Sequence, residues 1–441
     1  MKACTRTAFL AATVALTFLA GLAHSADNRG ERFQHSGRTQ DEGGGDLSHE
    51  QFTEAPTGFT SRTNGFTPQG PAFDTIDEEN VVPLQSFNDN RFIFEEVETT
   101  ADGLGPTFNA QSCRECHQNV ITGGASQVSE QRAGRVNDSG DFTESLGGSL
   151  IHSRATDERI IEYVSPEDGV RTFRISTNLL GNGFVESVAD ETLEGIRDNQ
   201  PPELRGTAVV VPVLEANDAP RVGRFGWKSQ HASLESFSAD AYLNEMGITS
   251  PLFPKENTSS GRFVGFGSGF DPLKEPEDDG VDVEAFANFM RSTKAPSRGP
   301  IDSDVQAGDG LFNQVGCGSC HVATLTTASP GTRVNGGNFT VPAALGNKLI
   351  HPYSDFLLYD IGTGDGIPVS SAPEHVTTAN KMRTAPLWAL RTRNRLMHDG
   401  LSLTKEEAIQ RHKGQATSVT ANFNALTEDQ QGQVLAFLNS L

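Results

Sequence analysis

One pentapeptide pattern occurs twice, as Cys113-Arg114-Glu115-Cys116-His117 and as Cys317-Gly318-Ser319-Cys320-His321. It limits what the chain can become more than any other feature. A C-x-x-C-H run is the attachment signature of c-type haem. The two thiols add to the two haem vinyl groups, and the spacing of two sets both sulfurs on one side of a short helical turn. The next residue then presents an imidazole to the iron. A C-x-x-C pair beside a His also suits a zinc or thioredoxin-like redox site, but two copies argue against that. With 5 Cys and 11 His in 441 residues, one accidental match is expected on the order of 10⁻³ times. The pair also uses every Cys except Cys4. The sequence therefore predicts two covalent haem c groups, on Cys113 and Cys116 and on Cys317 and Cys320, with His117 and His321 as axial iron ligands.

The start of the chain fits this chemistry. Lys2 and Arg6 precede an apolar run over residues 8–23, and Ala23-His24-Ser25-Ala26 supplies small residues for cleavage. Residues 1–25 read as a secretory signal peptide, with an apolar run at the lower limit for a membrane span. No other segment approaches that length. A periplasmic protein without a membrane span in its mature form is expected, since bacteria attach haem c outside the cytoplasm. With all four remaining cysteines assigned to haem, no structural disulfide is expected. The net charge of −22 becomes −24 once Lys2 and Arg6 leave. That disfavours nucleic acid and anionic lipid as partners and suits a small, basic, soluble electron-donor protein.

Residues 26–80 are polar and Gly-rich without apolar periodicity, and read as a mobile extension or surface-wrapping arm. Residues 81–295 form the expected N-terminal haem domain, enlarged by an insertion of loops and a small β-hairpin. Residues 171–176 alternate, and Ala208 to Val213 is a β-branched run followed by an Asn217-Asp218 turn and a partner over 221–227. Residues 233–246 and 282–294 read as helices. Gly265-Phe266-Gly267-Ser268-Gly269 lacks the flanking strand and helix of a nucleotide-binding loop. Residues 296–441 have the plan of a cytochrome c domain, with helices over 305–315, 404–412 and 427–441. The last two open on capping boxes at Thr404/Glu407 and Thr427/Gln430. The expected fold is mainly α, with two cytochrome c-like haem domains.

Function turns on the second axial position of each iron. A strong second ligand makes an electron-transfer haem, whereas an open site allows peroxide or oxygen chemistry. His412, near the end of a helix and on the face of Ala408 and Ile409, is the strongest candidate. On the residues alone, a helix-end His interacting with the dipole is an equal reading. For the first haem, His152 and His231 are available but poorly placed, and an open or water-bound site is expected.

Met397-His398-Asp399-Gly400, with Leu403-Thr404 and Glu407-Ala408-Ile409, resembles a segment of bacterial di-haem cytochrome c peroxidases and methylamine-utilisation di-haem enzymes. The chain is more closely similar to the di-haem thiol oxidoreductase-like branch. Leu180 to Phe184, Gly223 to Lys228, Asn244 to Ile248 and Arg383 to Trp388 carry that likeness. In that superfamily the distal ligand of the C-terminal haem follows the HDG histidine by 14 residues and is usually Met, sometimes Tyr. From His398 the same count lands on His412. A His there implies a lower potential than Met would give, and so departs from the superfamily's high-potential electron store. By the same resemblance, Trp227 is an inter-haem electron relay and Glu245 a catalytic acid/base beside the N-terminal iron. The alternatives are a core Trp and an exposed helix-end carboxylate. His398 is expected to be buried and not iron-bound, and Trp388 to pack on the C-terminal haem. The resemblance also implies possible calcium, for which Asp302-Ser303-Asp304 is suggestive although no EF-hand spacing follows.

Two functions remain open on the sequence. One is a peroxidase-like oxidoreductase that moves electrons from the C-terminal haem to a substrate-reducing N-terminal haem. The other is a non-catalytic electron-transfer cytochrome with both irons six-coordinate. The large insertion favours the enzyme, because a simple carrier does not need it. Thiol oxidation follows only from the name of the similar branch.

Overall fold

A computed structural model describes residues 52–57, 84–370 and 372–441. The expected leader, and the expected extension apart from residues 52–57, lie outside these. Three helices enclose the first pentapeptide: α1 (Leu84–Glu95), α2 (Leu234–Met246) and α3 (Val281–Arg291). The apolar stripe of α3 explains its place between the other two. Phe286 meets Tyr242 of α2 edge-on at 5.0 Å, and Phe289 meets Phe94 of α1 at 4.6 Å. Ser233 caps α2, and Gly247, in the left-handed region, ends it.

Around the second pentapeptide, α4 (Ser303–Val315) crosses α6 (Glu428–Ser440), and α5 (Lys405–Gln410) touches α6. Phe312 and Phe437 meet at 5.1 Å. The crossing is close because Gly308 has no side chain: a Cβ there would collide with the carbonyl of Gln433. Both expected capping boxes form, at Thr404/Glu407 and Thr427/Gln430.

The fold is mixed and not mainly α. An antiparallel sheet has β1 (Ser129–Val136) in its middle, β2 (Phe142–Glu144) and β3 (Leu150–Ile151) along one edge, and β4 (Val170–Ile175) along the other. The sequence signalled only β4. Ser129 to Arg132 in β1 alternates between neutral polar and charged residues and Ala133-Gly134 follows, so it lacks the apolar period that marks a strand. The expected hairpin is present as β5 (Val210–Val213) and β6 (Ala219–Val222), with the second strand ending at Val222 and not running over 221–227. Asn217 and Asp218 both take positive φ at its turn.

The expected boundary near residue 295 is not a break in the core. Leu325, Leu345, Ile350 and Phe356 share one apolar cluster with Phe94, Phe184 and Phe286. Residues 53–54 add a short parallel strand against Lys348–Ile350. The segment after the second pentapeptide thus folds back onto the first helical group, because its apolar side chains find cover there.

Candidate haem sites

The two pentapeptides build the same local device. Cys113–Cys116 is one helical turn, capped by Ser112, whose hydroxyl accepts from the Glu115 amide at 3.2 Å. Cys317–Ser319 is a 3₁₀ turn. None of the four thiols is in a disulfide. Each turn ends on a His whose Nδ1 lies 2.9 Å from a backbone carbonyl, Thr177 for His117 and Tyr353 for His321. A carbonyl only accepts, so Nδ1 carries the hydrogen and Nε2 keeps its lone pair. A Phe ring packs beside each imidazole in matching geometry. Phe94 and His117 are 6.4 Å apart at 57°, and Phe312 and His321 are 6.3 Å apart at 57°. Burial lowers both imidazoles to about 4, which leaves them neutral at ordinary pH.

Each device faces its own cavity. The first, of about 250 Å³, is lined by Cys113, Cys116 and His117. The second, of about 190 Å³, is lined by Cys317, Cys320 and His321 and is the more apolar. Burial pushes the thiols of Cys116, Cys317 and Cys320 up to about 12, the opposite of an activated thiolate.

Opposite the shared device, the cavities differ. His412 follows α5 and lines the second cavity with His321. Its Nδ1 donates to the Ala408 carbonyl at 2.7 Å, again leaving Nε2 free. Among the described residues, no second histidine lines the first cavity. His152 is engaged at both ring nitrogens, by Glu162 at 2.9 Å and the Asn244 carbonyl at 2.8 Å. His231 pairs with Asp240 at 3.2 Å.

The first cavity instead holds a polar group centred on Glu245, at the end of α2. Asn109 donates to its Oε2 at 3.0 Å, and Glu130 on β1 lines the same cavity, where each carboxyl feels the charge of the other. Arg132, two residues along the same strand, grips Glu130 through Nε at 2.5 Å and Nη2 at 3.1 Å. Burial, reinforced by the Glu130 charge, raises Glu245 well above the usual carboxyl range. For Glu130 burial acts the same way, but Arg132 outweighs it and holds the group ionised. Glu130 and Arg132 escaped sequence reasoning along with their strand.

Trp227 lines both cavities. Its Nε1 donates to the Ile175 carbonyl at 2.6 Å, which fixes the ring. His398 is buried and lines the second cavity. Trp388 does not line it: Leu387 takes that place, and Trp388 turns into the main core beside Gly181. Asp302 caps α4, accepting from the Val305 amide at 3.0 Å. Among the described residues, no three His, Cys, Asp or Glu are grouped to hold a metal ion.

The chain belongs to the family described as "Di-haem oxidoreductase, putative peroxidase", whose model matches residues 150–441. The match includes the second pentapeptide, while the first precedes it. No curated protein matches the sequence. Among solved structures, hydrazine synthase of Kuenenia stuttgartiensis is 13% identical over 94% of this chain and 100% of its own, with a TM-score of 0.38. A MauG-like protein associated with microbial copper homeostasis is 14% identical over 91% and 95%, at 0.36. A variant of the di-haem peroxidase BthA from Burkholderia thailandensis is 16% identical over 81% and 86%, at 0.40.

The family implies two haem groups, and the residues present fit them. Each cavity offers two thiols outside any disulfide and a neutral imidazole whose Nδ1 is held by a backbone carbonyl. The second also has two guanidiniums in its wall, Arg383 and Arg393. Neither pairs with a carboxylate among the described residues, and Nε of Arg393 is buried without a hydrogen-bond partner. Burial lowers Arg383 to about 9, with Arg393 contributing, and Arg393 to about 10. Cations buried this way suit the carboxylates of a haem edge.

Proposed function

We propose that this chain is an exported di-haem c oxidoreductase that reduces a peroxide-type oxidant at its first cavity, using electrons received on the side of the second. The supporting observation is the asymmetry of the two sites. One shared proximal device faces a second imidazole in one cavity and a carboxyl pair in the other.

Haem bound in each cavity would supply a redox-active iron on either side of Trp227. Cys113 and Cys116, and Cys317 and Cys320, would hold the groups covalently, with His117 and His321 as proximal ligands. His412 would close the second site to outside ligands and leave it to electron transfer. The first site would stay open to a small oxidant. There Glu245 would keep a proton facing the cavity and move it between the oxidant's oxygens, a role worth about 10²- to 10⁴-fold in rate. Trp227 would carry electrons through the shared wall. The acidic surface suits a small basic donor protein, and residues 1–25 would direct the chain to the periplasm.

Optical and EPR spectra of the purified protein, as isolated and after one-electron reduction, test the proposal. A high-spin haem that binds cyanide or peroxide, beside a low-spin one, is expected. Two inert low-spin haems would make the protein a carrier instead.

A further inference from the structure

The carboxyl pair of the first cavity has a division of labour that the proposed function does not require. Glu245 comes from the end of α2 and Glu130 from the middle sheet strand β1, 115 residues earlier in the chain. Two partly buried carboxyls that share one cavity wall and feel each other's charge cannot both be ionised at little cost, so one must carry a proton. Which one carries it is set by their other partners. Glu130 receives two charge-assisted bonds from Arg132, at 2.5 and 3.1 Å, an arrangement that favours the ionised form. Glu245 receives one neutral bond, from Asn109 at 3.0 Å. The remaining charged groups around the pair do not reverse this. Arg174 on β4 adds positive charge near Glu130. Asp240, earlier on α2, lies 3.2 Å from Nε2 of His231. Glu115 behind Cys116 is tied to Arg154 at 2.5 Å.

We infer that Glu130, gripped by Arg132, is the positioning residue that keeps the exchangeable proton on Glu245 and aims it into the first cavity. This rests on the proposed role of Glu245 but makes a separate claim about where the proton resides. Once Glu245 has given up its proton, the negative charge on Glu130 raises the pull for a replacement. The pair is thereby returned to its one-proton state before the next turnover.

The test is infrared spectroscopy of the haem-loaded protein across a pH series. The protonated-carboxyl C=O stretch of Glu245 is identified by its loss in Glu245→Gln. In the wild type this band should persist above neutral pH. In Glu130→Gln, which removes the neighbouring charge and offers a donor in its place, its midpoint should fall by about one pH unit or more. Glu130→Asp should recover most of the shift. Arg132→Lys keeps both carboxyls but loses the two-pronged grip, and should move the pair's first proton release upward. A Glu245 midpoint unchanged in Glu130→Gln overturns the inference. So does a wild-type band already lost below neutral pH. Peroxide turnover is read separately. If Glu245→Gln turns over normally, the proposed reaction site fails, while the infrared series still decides the location of the proton.

Discussion

Trp227 and His398 stand edge to face, with ring centroids 6.2 Å apart and an angle of 70°, where the wall of the second cavity meets the wall of the first. The indole is therefore the one aromatic ring that borders both cavities among the described residues. Trp227→Phe keeps an aromatic ring in the wall but loses the hydrogen bond to Ile175. Both haem spectra should stay as in the wild type. Electron transfer between the sites should slow roughly tenfold, equivalent to about 1.4 kcal/mol of barrier. Stopped-flow oxidation of the reduced protein by peroxide measures this, and an unchanged rate would remove Trp227 from the path.

His412 should decide the character of the second site. His412→Ala is expected to turn its low-spin spectrum high-spin. His412→Met should keep it low-spin but raise the reduction potential, since a thioether favours the reduced iron relative to a second imidazole. Spectroelectrochemical titration separates the two variants, and a second site indifferent to both would place its ligand elsewhere.

Mass spectrometry of exported protein should show two haem adducts per chain. Cys317→Ala combined with Cys320→Ala should leave one, assigned by peptide mapping to residues 113–117. A bare polypeptide from cells that mature other c-type cytochromes would contradict covalent attachment.

A stability prediction lies at Glu186, fully buried behind the first helical group. Its carboxylate accepts from Arg291 at 2.7 and 3.1 Å, from Asn335 at 2.9 Å and from the Leu234 amide at 2.8 Å. Burial alone would raise its pKa, but Arg291 and the other donors outweigh burial and lower it. The folded value lies below the unfolded one. Its contribution is therefore complete above the unfolded pKa of about 4.3 and is lost as pH falls through the folded value. Glu186→Gln leaves Arg291 without its charge partner and should cost about 3 kcal/mol at neutral pH. Denaturant unfolding of the haem-loaded protein should show this difference shrinking in acid.

The helices and the haem motifs were legible because their signals are local. Caps at Thr404 and Thr427, the stripe through Phe286 and Phe289, and the Asn217-Asp218 turn each depend on neighbours within a few residues. His412 was reached by counting from His398, and it lines the same cavity as His321. Glu130 and Arg132 were not legible. On paper their strand is polar over its first four residues, with no apolar alternation to mark it, and only its pairing with β4 turns those two side chains into the cavity. Trp388 misled for a related reason. A one-residue difference along an extended stretch exchanges cavity for core, and no periodicity fixes that choice beforehand.

The bonds that steady the two proximal imidazoles end on main-chain oxygens, those of Thr177 and Tyr353. Exchanging either side chain leaves the acceptor in place, so natural variation has little purchase on the donor strength of His117 or His321. In the proposed sites, divergence between the two irons would then be written on their far sides, where single substitutions could add or withdraw a ligand. A duplicated half-site of this kind allows one centre to be retuned while its twin is left alone.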